Sequence, residues 1–254
     1  MPEPATIRIA LWGLSGSGKT ALLAYLLHAS PDTGWDVRPR REASSFVKMM
    51  RQQRALNRFP SATPLHNPAR VVYTLNKGDR QAILHVEDRS GGEWKELPED
   101  VKHELVQELT NAHALIVLLD PTGAYRDLED QVRNTLERLC EERGVPHETR
   151  PVALCLTKAD TFVSDVESLV RAKSDPDGFA AAHLHARLRT SVARLCSNAR
   201  FFPVSTVGVR ASFGVVTPAV IADETLTLRP VTGGQPINLT EPFEWIFSEL
   251  GQAV

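Results

Sequence analysis

The sequence predicts an α/β fold, a mixed, mainly parallel six-stranded sheet with helices on both faces. Three observations predict it. Short apolar runs of strand type alternate with segments of helical periodicity along most of the 254 residues, an order that gives parallel strands covered on both faces. Two strand patterns are joined by Asn76-Lys77-Gly78-Asp79, a hairpin signal, so one pair is antiparallel. A glycine-rich loop, GLSGSGKT (13–20), lies between the first strand and the first helix.

Taken in order, TIRIALW (6–12) places Ile7, Ile9 and Leu11 in alternation with Arg8 and Ala10 and predicts a short buried strand. ALLAYLL (21–27) is an apolar helical run that fades near His28 to Asp32. TGWDVRPRR (33–41) is polar and basic, and Glu42 to Asn57 reads as an inserted amphipathic helix carrying Phe46, Val47, Met50 and Leu56. RFPSATPLHNP (58–68), with three prolines, is a loop. ARVVYTL (69–75) and QAILHVE (81–87) are the hairpin strands. Leu97 to Asn111 and Leu128 to Cys140 are helices on either side of the buried strand ALIVLLD (114–120). PVALCL (151–156) is the fifth strand, and RFFPV (200–204) is the last. Between them the pattern predicts a helix over Phe162 to Ala172, a turn at DPDG (175–178) and one long helix from Phe179 to Asn198. The tail carries strand character at Thr225 to Val231 and a Gly233-Gly234 turn. It ends in a closing helix that half-buries Phe243, Trp245, Ile246, Phe247 and Leu250. This organisation predicts a domain over 1–206 with a helical insertion around 35–58, and an extension over 207–254, with a β-hairpin and the closing helix, packed on the same domain.

Composition narrows the function classes. With 42% hydrophobic and 24% charged residues the chain has material for one sizeable core. A net charge of −2 and a pI of about 6.5 give no general attraction for nucleic acid or acidic membranes. Cys140, Cys155 and Cys196 are widely spaced and read as small buried hydrophobes, neither a disulfide frame nor a zinc site. The leading residues show no signal-peptide pattern and no apolar run is long enough for a membrane span, so the expected location is the cytoplasm. His183 and His185, two apart in a predicted helix, point to different faces and do not form a metal pair.

The glycine-rich loop matches G-x-x-x-x-G-K-[ST], and each residue type has a physical reason. Glycines at 13, 16 and 18 let main-chain N–H groups close on phosphate oxygens, and the following helix turns its positive end on the same anion. Lys19 neutralises β- and γ-phosphates, and the Thr20 hydroxyl is a ligand for Mg²⁺. The predicted phosphate-binding set is Gly13, Ser15, Gly16, Ser17, Gly18, Lys19, Thr20 and Ala21.

Together with DRSG (88–91), TKAD (157–160), PVST (203–206) and the intervening hairpin, this loop resembles the motifs of Ras-like small GTPases within the translation-factor-related class of P-loop GTPases. The resemblance spans roughly residues 5 to 206 and implies the three-layer G-domain fold, guanine nucleotide (GTP or GDP) and Mg²⁺ as ligands, and GTP hydrolysis, which a departure at Gly92 makes slow. It implies that Asp88 holds Mg²⁺ through water and that the Gly91 N–H meets the γ-phosphate. Thr157 braces the base loop, the Lys158 stem lies over the ring, and Asp160 accepts from guanine N1–H and the exocyclic amine. Adenine offers no such donor pair. Ser205 and Thr206 supply a main-chain N–H to guanine O6, with Thr206 where the family has alanine. The switch threonine implied as a ligand of Mg²⁺ and γ-phosphate is Thr63, with Ser61 as the alternative. Lys19, Thr63 and Gly91 form the catalytic set, and Thr20, Thr63 and Asp88 the metal set.

Departures bear on chemistry. Where the family carries a water-orienting glutamine after D-x-x-G, this chain has Gly92, and Glu93 is one place out of register. Arg58 is a candidate arginine finger, against the plainer reading of a solvated arginine. The tail returning to a closing helix resembles bacterial double-GTPase systems, GTPases encoded with partner proteins. The predicted activity is a GTP-driven, Mg-dependent switch acting on a protein effector or activating partner. A P-loop ATPase or kinase and a pseudo-GTPase scaffold are the alternatives.

Overall fold

The computed structural model describes residues 7–14, 16–60, 69–78, 80–88, 99–123, 125–224 and 227–251. β1 (Ile7–Gly13) is the central strand, because its residues are apolar on both sides of the pleat. Ile9 and Leu11 enter one core and Ala10 and Trp12 the other. β4 (Arg80–Asp88) and β5 (Ala114–Leu119) flank it in parallel, followed by β6 (Val152–Leu156) and β7 (Ala199–Pro203). β3 (Ala69–Lys77) pairs antiparallel with β4 through the predicted hairpin.

Among the described residues the sheet has seven strands where the sequence predicts six, in the order β2-β3-β4-β1-β5-β6-β7. The seventh is β2 (Asp36–Pro39), antiparallel to β3 from Asp36↔Asn76 to Pro39↔Tyr73. It covers an edge that β3 would otherwise leave open. A 3-10 turn at Arg41–Ala43 then leads into α2 (Ser44–Ala55), the predicted inserted helix, with Phe46, Val47 and Met50 buried and Leu56, just past its end, exposed.

One face of the sheet carries α1 (Lys19–Thr33), α2 and α8 (Glu241–Gly251). On this side Trp35 meets Phe247 edge to face with centroids 5.1 Å apart, and Phe243 and Ile246 are fully buried. The Tyr73 hydroxyl donates to the Leu23 carbonyl at 3.2 Å. The other face carries α3 (Glu99–Asn111), α4 (Tyr125–Arg143) and α7 (Ala186–Leu195).

Two expectations for 162–198 are corrected. The DPDG segment opens a helix, α6 (Pro176–His183): Asp175 is its N-cap, accepting from Gly178 N at 3.0 Å, and Pro176 occupies the first turn. The long helix is two helices, α6 and α7, because Leu184 is extended (φ −109°, ψ 142°) and His185 caps the second. Val166–Ser174 forms α5, capped by Asp165 and Ser168 in a reciprocal box.

Beyond β7 the chain enters a second, three-stranded sheet, β12-β8-β9, formed by β8 (Ser205–Ser212), β9 (Val215–Pro218) and β12 (Gln235–Ile237). The boundary expected at 206/207 falls inside β8. β10 (Val220–Ala222) and β11 (Leu228–Pro230) pair antiparallel as a separate two-stranded ribbon. A small core of Val163, Ala172, Phe179, Val209, Val216 and Ile237 joins this region to α5 and α6.

Candidate nucleotide-binding site

The loop after β1 turns because its glycines allow it. Gly16 and Gly18 take positive φ (70° and 91°). Gly13 is needed for space: a Cβ there would lie 2.6 Å from Ser17 Oγ and 2.9 Å from Leu118 Cβ. The loop delivers α1 with Gly18 as its N-cap, no side chain capping its first N–H groups and no acid in the first turn. A helix start of this kind turns its first N–H groups and its positive dipole end toward an anion. Lys19 is buried, and its ammonium donates to the Gly13 and Leu14 carbonyls at 2.6 and 2.9 Å. These bonds stretch the side chain back along the loop and fix the charge over its hollow. Ser17 Oγ is buried without a hydrogen-bond partner among the described residues, and Thr20 opens the helix beside Lys19.

At the ends of β6 and β7 the TKAD and PVST segments interlock. Thr157 is held to the Leu119 carbonyl through N (2.8 Å) and Oγ1 (3.1 Å). Its Cβ and Cγ2 lie 3.9 Å from where a Cβ on Gly18 would sit, so this element packs against the phosphate loop. Lys158 is left-handed at φ 57°, unusual for a residue with a side chain. Its ammonium pairs with Asp120 at 2.6 Å, which draws the methylene stem along the wall of a pocket of about 290 Å³. That volume sits at the small end of ligand pockets, ~300–1,000 Å³, and suits a heterocyclic base better than a whole nucleotide.

Asp160 lines the same pocket and is almost fully buried. Burial raises its pKa, and the Ser205 hydroxyl and the Lys158 charge pull it part of the way back. Ser205 Oγ donates to Asp160 Oδ1 and accepts from Gly208 N at 2.9 Å. The remaining Asp160 oxygen is a charged acceptor at the back of an otherwise largely apolar slot, lined by Ala21, Leu22, Phe59, Val204, Val207, Val220 and Leu228. A planar ring with two adjacent donors on one edge has the complementary chemistry.

The sequence model of the Double-GTPase 2 family matches residues 7–207. The chain belongs to the Double-GTPase 2 family. No curated protein matches it. Among solved structures it is similar to a GTP-binding protein from the hyperthermophilic archaeon Sulfolobus solfataricus in complex with GDP, at 15% identity and TM-score 0.48, over 96% of this chain and 53% of that one. It is also similar to an SsGBP and GDP complex, at 16% identity and TM-score 0.40, over 80% of this chain and 45% of that one. The chain spans about half the length of these structures.

In this Double-GTPase 2 protein the fold brings Gly13, Gly16, Ser17, Gly18, Lys19, Thr20 and Ala21 to one rim with Thr157, Lys158, Asp160, Ser205 and Thr206. Asp88 closes β4. Carrying the printed register Ala10↔His85 onward brings Asp88 level with Gly13 at the same strand end. Ser15, Ser61, Thr63, Gly91, Gly92 and Glu93 lie outside the described residues. Arg58 is exposed and lines a small cleft with His28 and Arg54 rather than the pocket that Asp160 lines.

Sequence reasoning missed three kinds of participant. Asp120 anchors Lys158, and Asp-Pro-Thr-Gly after β5 was a visible signal, a turn at a parallel strand's carboxyl end. Ser205 supports Asp160 through its hydroxyl, where a main-chain role alone was expected. Phe59, Val220 and Leu228 line the pocket from segments with no motif.

Proposed function

We propose that this protein binds GTP and GDP with Mg²⁺ at this rim and acts as a molecular switch with slow intrinsic hydrolysis. The observation that carries the reading is Asp160, a buried, braced carboxylate facing a base-sized pocket whose other end abuts the phosphate loop through Thr157 and Gly18. Polyphosphate lies against the loop amides and Lys19. Guanine offers N1–H and its exocyclic amine to Asp160, which adenine cannot do.

A hydroxyl and a carboxylate, on Thr20 and Asp88, suit a hard, oxygen-seeking cation. Among the described residues no three His, Cys, Asp or Glu gather to hold a metal alone. Thr20 and Asp88, with Thr63 as a further ligand, would hold such an ion together with nucleotide oxygens and water. That ion supplies charge neutralisation at the phosphates. The chain's own part in hydrolysis is to hold the γ-phosphate in line for water, with Lys19 and the loop N–H groups stabilising charge as it develops. Gly92 offers no side chain to orient that water, which is the reason for proposing slow turnover and a protein partner that completes the site. Gly92 also favours the second reading, a nucleotide-binding scaffold without turnover. Among the described residues no helix is long and apolar enough to cross a membrane; a cytoplasmic site of action is part of the proposal.

Mass spectrometry of the nucleotide that co-purifies with the protein, followed by competition of GTP, GDP and ATP for the site, tests the reading. GDP or GTP should be recovered and ATP should compete poorly. Equal displacement by ATP refutes guanine selectivity, and unchanged affinity in Lys19→Ala refutes the phosphate site.

A further inference from the structure

We infer that the β10–β11 ribbon of the C-terminal extension is the outer wall of the base pocket and sets how slowly a bound purine nucleotide leaves. The inference rests on the guanine-nucleotide reading of that pocket. Strand register carries the argument. Val220 pairs with Pro230 and Ala222 with Leu228, so Val220, Ala222, Leu228 and Pro230 share one face and Ile221 and Arg229 the other. Val220 and Leu228 line the base pocket together with Thr157, Lys158 and Asp160; Ile221 does not. The pocket therefore has its polar recognition edge on the ends of β6 and β7, and part of its apolar wall on a ribbon of the C-terminal extension, beyond β8 and β9 in the chain.

The ribbon is a fixed wall. Asp223 pairs with Arg229 at 2.7 Å and receives the Thr227 N–H at 3.0 Å, holding its two strands together. At its foot, Val231 N bonds to Ala219 O at 2.8 Å, and Ala219 N bonds to Gly208 O on β8 at 2.9 Å. Gly208, at φ 72°, lets β8 pass so close to β12 that a Cβ there would fall 1.7 Å from the Gln235 carbonyl oxygen. Gly208 N also donates to the Ser205 hydroxyl that braces Asp160. One glycine thus ties the ribbon's foot to the base-recognition carboxylate.

Leu228 is 59% exposed although it lines a pocket. A bound base covers it, removing apolar surface from water, and that contact must be broken before the nucleotide leaves. The contact is apolar and indifferent to base identity. It adds to retention without discriminating between bases, and discrimination is left to Asp160.

The test is release of radiolabelled GDP from the full chain into excess unlabelled GDP, with Mg²⁺ present, alongside GTP-against-ATP competition. Leu228→Ser and Val220→Ser should each release GDP about tenfold faster, the scale of losing part of one aliphatic contact, with the preference for GTP over ATP unchanged. Ile221→Ser, on the opposite face of the same ribbon and 58% exposed, should release at the wild-type rate, and Leu228→Met should restore retention. Wild-type release from the Leu228 and Val220 variants overturns the inference. So does equal acceleration by Ile221→Ser, which would reduce the effect to general loosening of the ribbon. If the wild-type chain bound no guanine nucleotide at all, the proposed function would fail and take this inference with it. Binding with unaltered release in the variants would leave the proposed function standing and sink the ribbon's role alone.

Discussion

Replacing Asp160 by asparagine changes charge and hydrogen-bond polarity at one position while keeping the side chain's shape. Ser205 Oγ already donates to Oδ1, and an amide oxygen at that place still accepts. The amide nitrogen then takes the place of Oδ2 and turns two N–H donors toward the pocket. Guanine's N1–H and exocyclic amine would meet donors where they had met a charged acceptor. A hydrogen bond to a charged group contributes ~1.5–3 kcal/mol, and an unpaired buried donor costs a similar amount. A loss of about 3 kcal/mol corresponds to about a hundredfold in affinity. ATP, which never used the acceptor, should bind as weakly as before, so the selectivity ratio should collapse. Xanthine, which carries a carbonyl where guanine carries its amine, should gain. Burial raises the Asp160 pKa, so the wild-type protein should lose GTP affinity as pH falls into the range where this carboxyl protonates. Asp160→Asn should be flat over that range. The assay is equilibrium displacement of a fluorescent GTP analogue by GTP, ATP and XTP over a pH series descending from neutrality. Full retention of GTP selectivity in Asp160→Asn, in protein with an unaltered Tm, would refute the assignment of Asp160 to the base.

Three more outcomes follow from the same geometry. Glu148 is fully buried, and although burial pushes its pKa up, hydrogen bonds and charge from Arg150, with Arg143 beside it, hold it at about 2. The stability it contributes is present above the unfolded value near 4.5 and is lost as pH falls from there toward 2, about 3 kcal/mol in all at ~1.4 kcal/mol per pH unit; acid titration of Tm should fall more steeply in the wild type than in Glu148→Gln. Phe213 is fully exposed at φ 50° beside Gly214 at φ 81°, in the two-residue turn joining Ser212 to Val215. Phe213→Asn should relieve part of a ~1–2 kcal/mol left-handed penalty and raise Tm by ~2–4 °C; a lower Tm would mean the ring has a packing role. Phosphate release by the isolated protein should be slow, ~10⁻⁴ s⁻¹ or below, and a rate near ~10⁻² s⁻¹, the scale of a GTPase carrying its arginine in cis, would mean that a residue such as Arg58 does what Gly92 cannot.

The central strands were legible because burial on both faces leaves a direct trace, an apolar run such as ALIVLL (114–119) with no polar member. β2 left none. Of Asp36–Pro39 only Val37 is buried, and the segment is a strand because β3 offers it an open edge. The split of the predicted long helix was hidden for a different reason. Ala180, Leu184, Leu188, Val192 and Leu195 are all buried at spacings of four, four, four and three, the stripe of one continuous helix. Leu184 keeps its place in that stripe while its backbone is extended, so periodicity alone could not show the break. The DPDG segment failed through shared chemistry. An aspartate accepting from the N–H three residues on, followed by proline, is a turn if the chain leaves and a cap if a helix continues. Here Phe179 and Ala180 are buried, and that burial decides for the helix.

The site divides along the same line. Its polar members were readable because each sits a fixed few residues past a buried strand, and strand ends in a parallel sheet converge on one rim. Lys19 was legible in the G-x-x-x-x-G-K-[ST] spacing, and Thr157 and Asp160 in the resemblance of TKAD to a base-recognition element at the end of a buried strand. The apolar walls obey no such rule, because Phe59, Val220 and Leu228 reach the pocket through the path of an insertion and an extension whose lengths carry no information about where they return. Ser205 lies between the two cases. Its place after the last central strand marked it, yet its hydroxyl is spent on Asp160 and on Gly208 of the extension. On the proposed reading, a residue tied both to the Asp160 carboxylate and to the foot of the ribbon couples selectivity to the outer wall. Loss of that hydroxyl in Ser205→Ala should therefore shift GTP selectivity and GDP release together, whereas Leu228→Ser should change release alone.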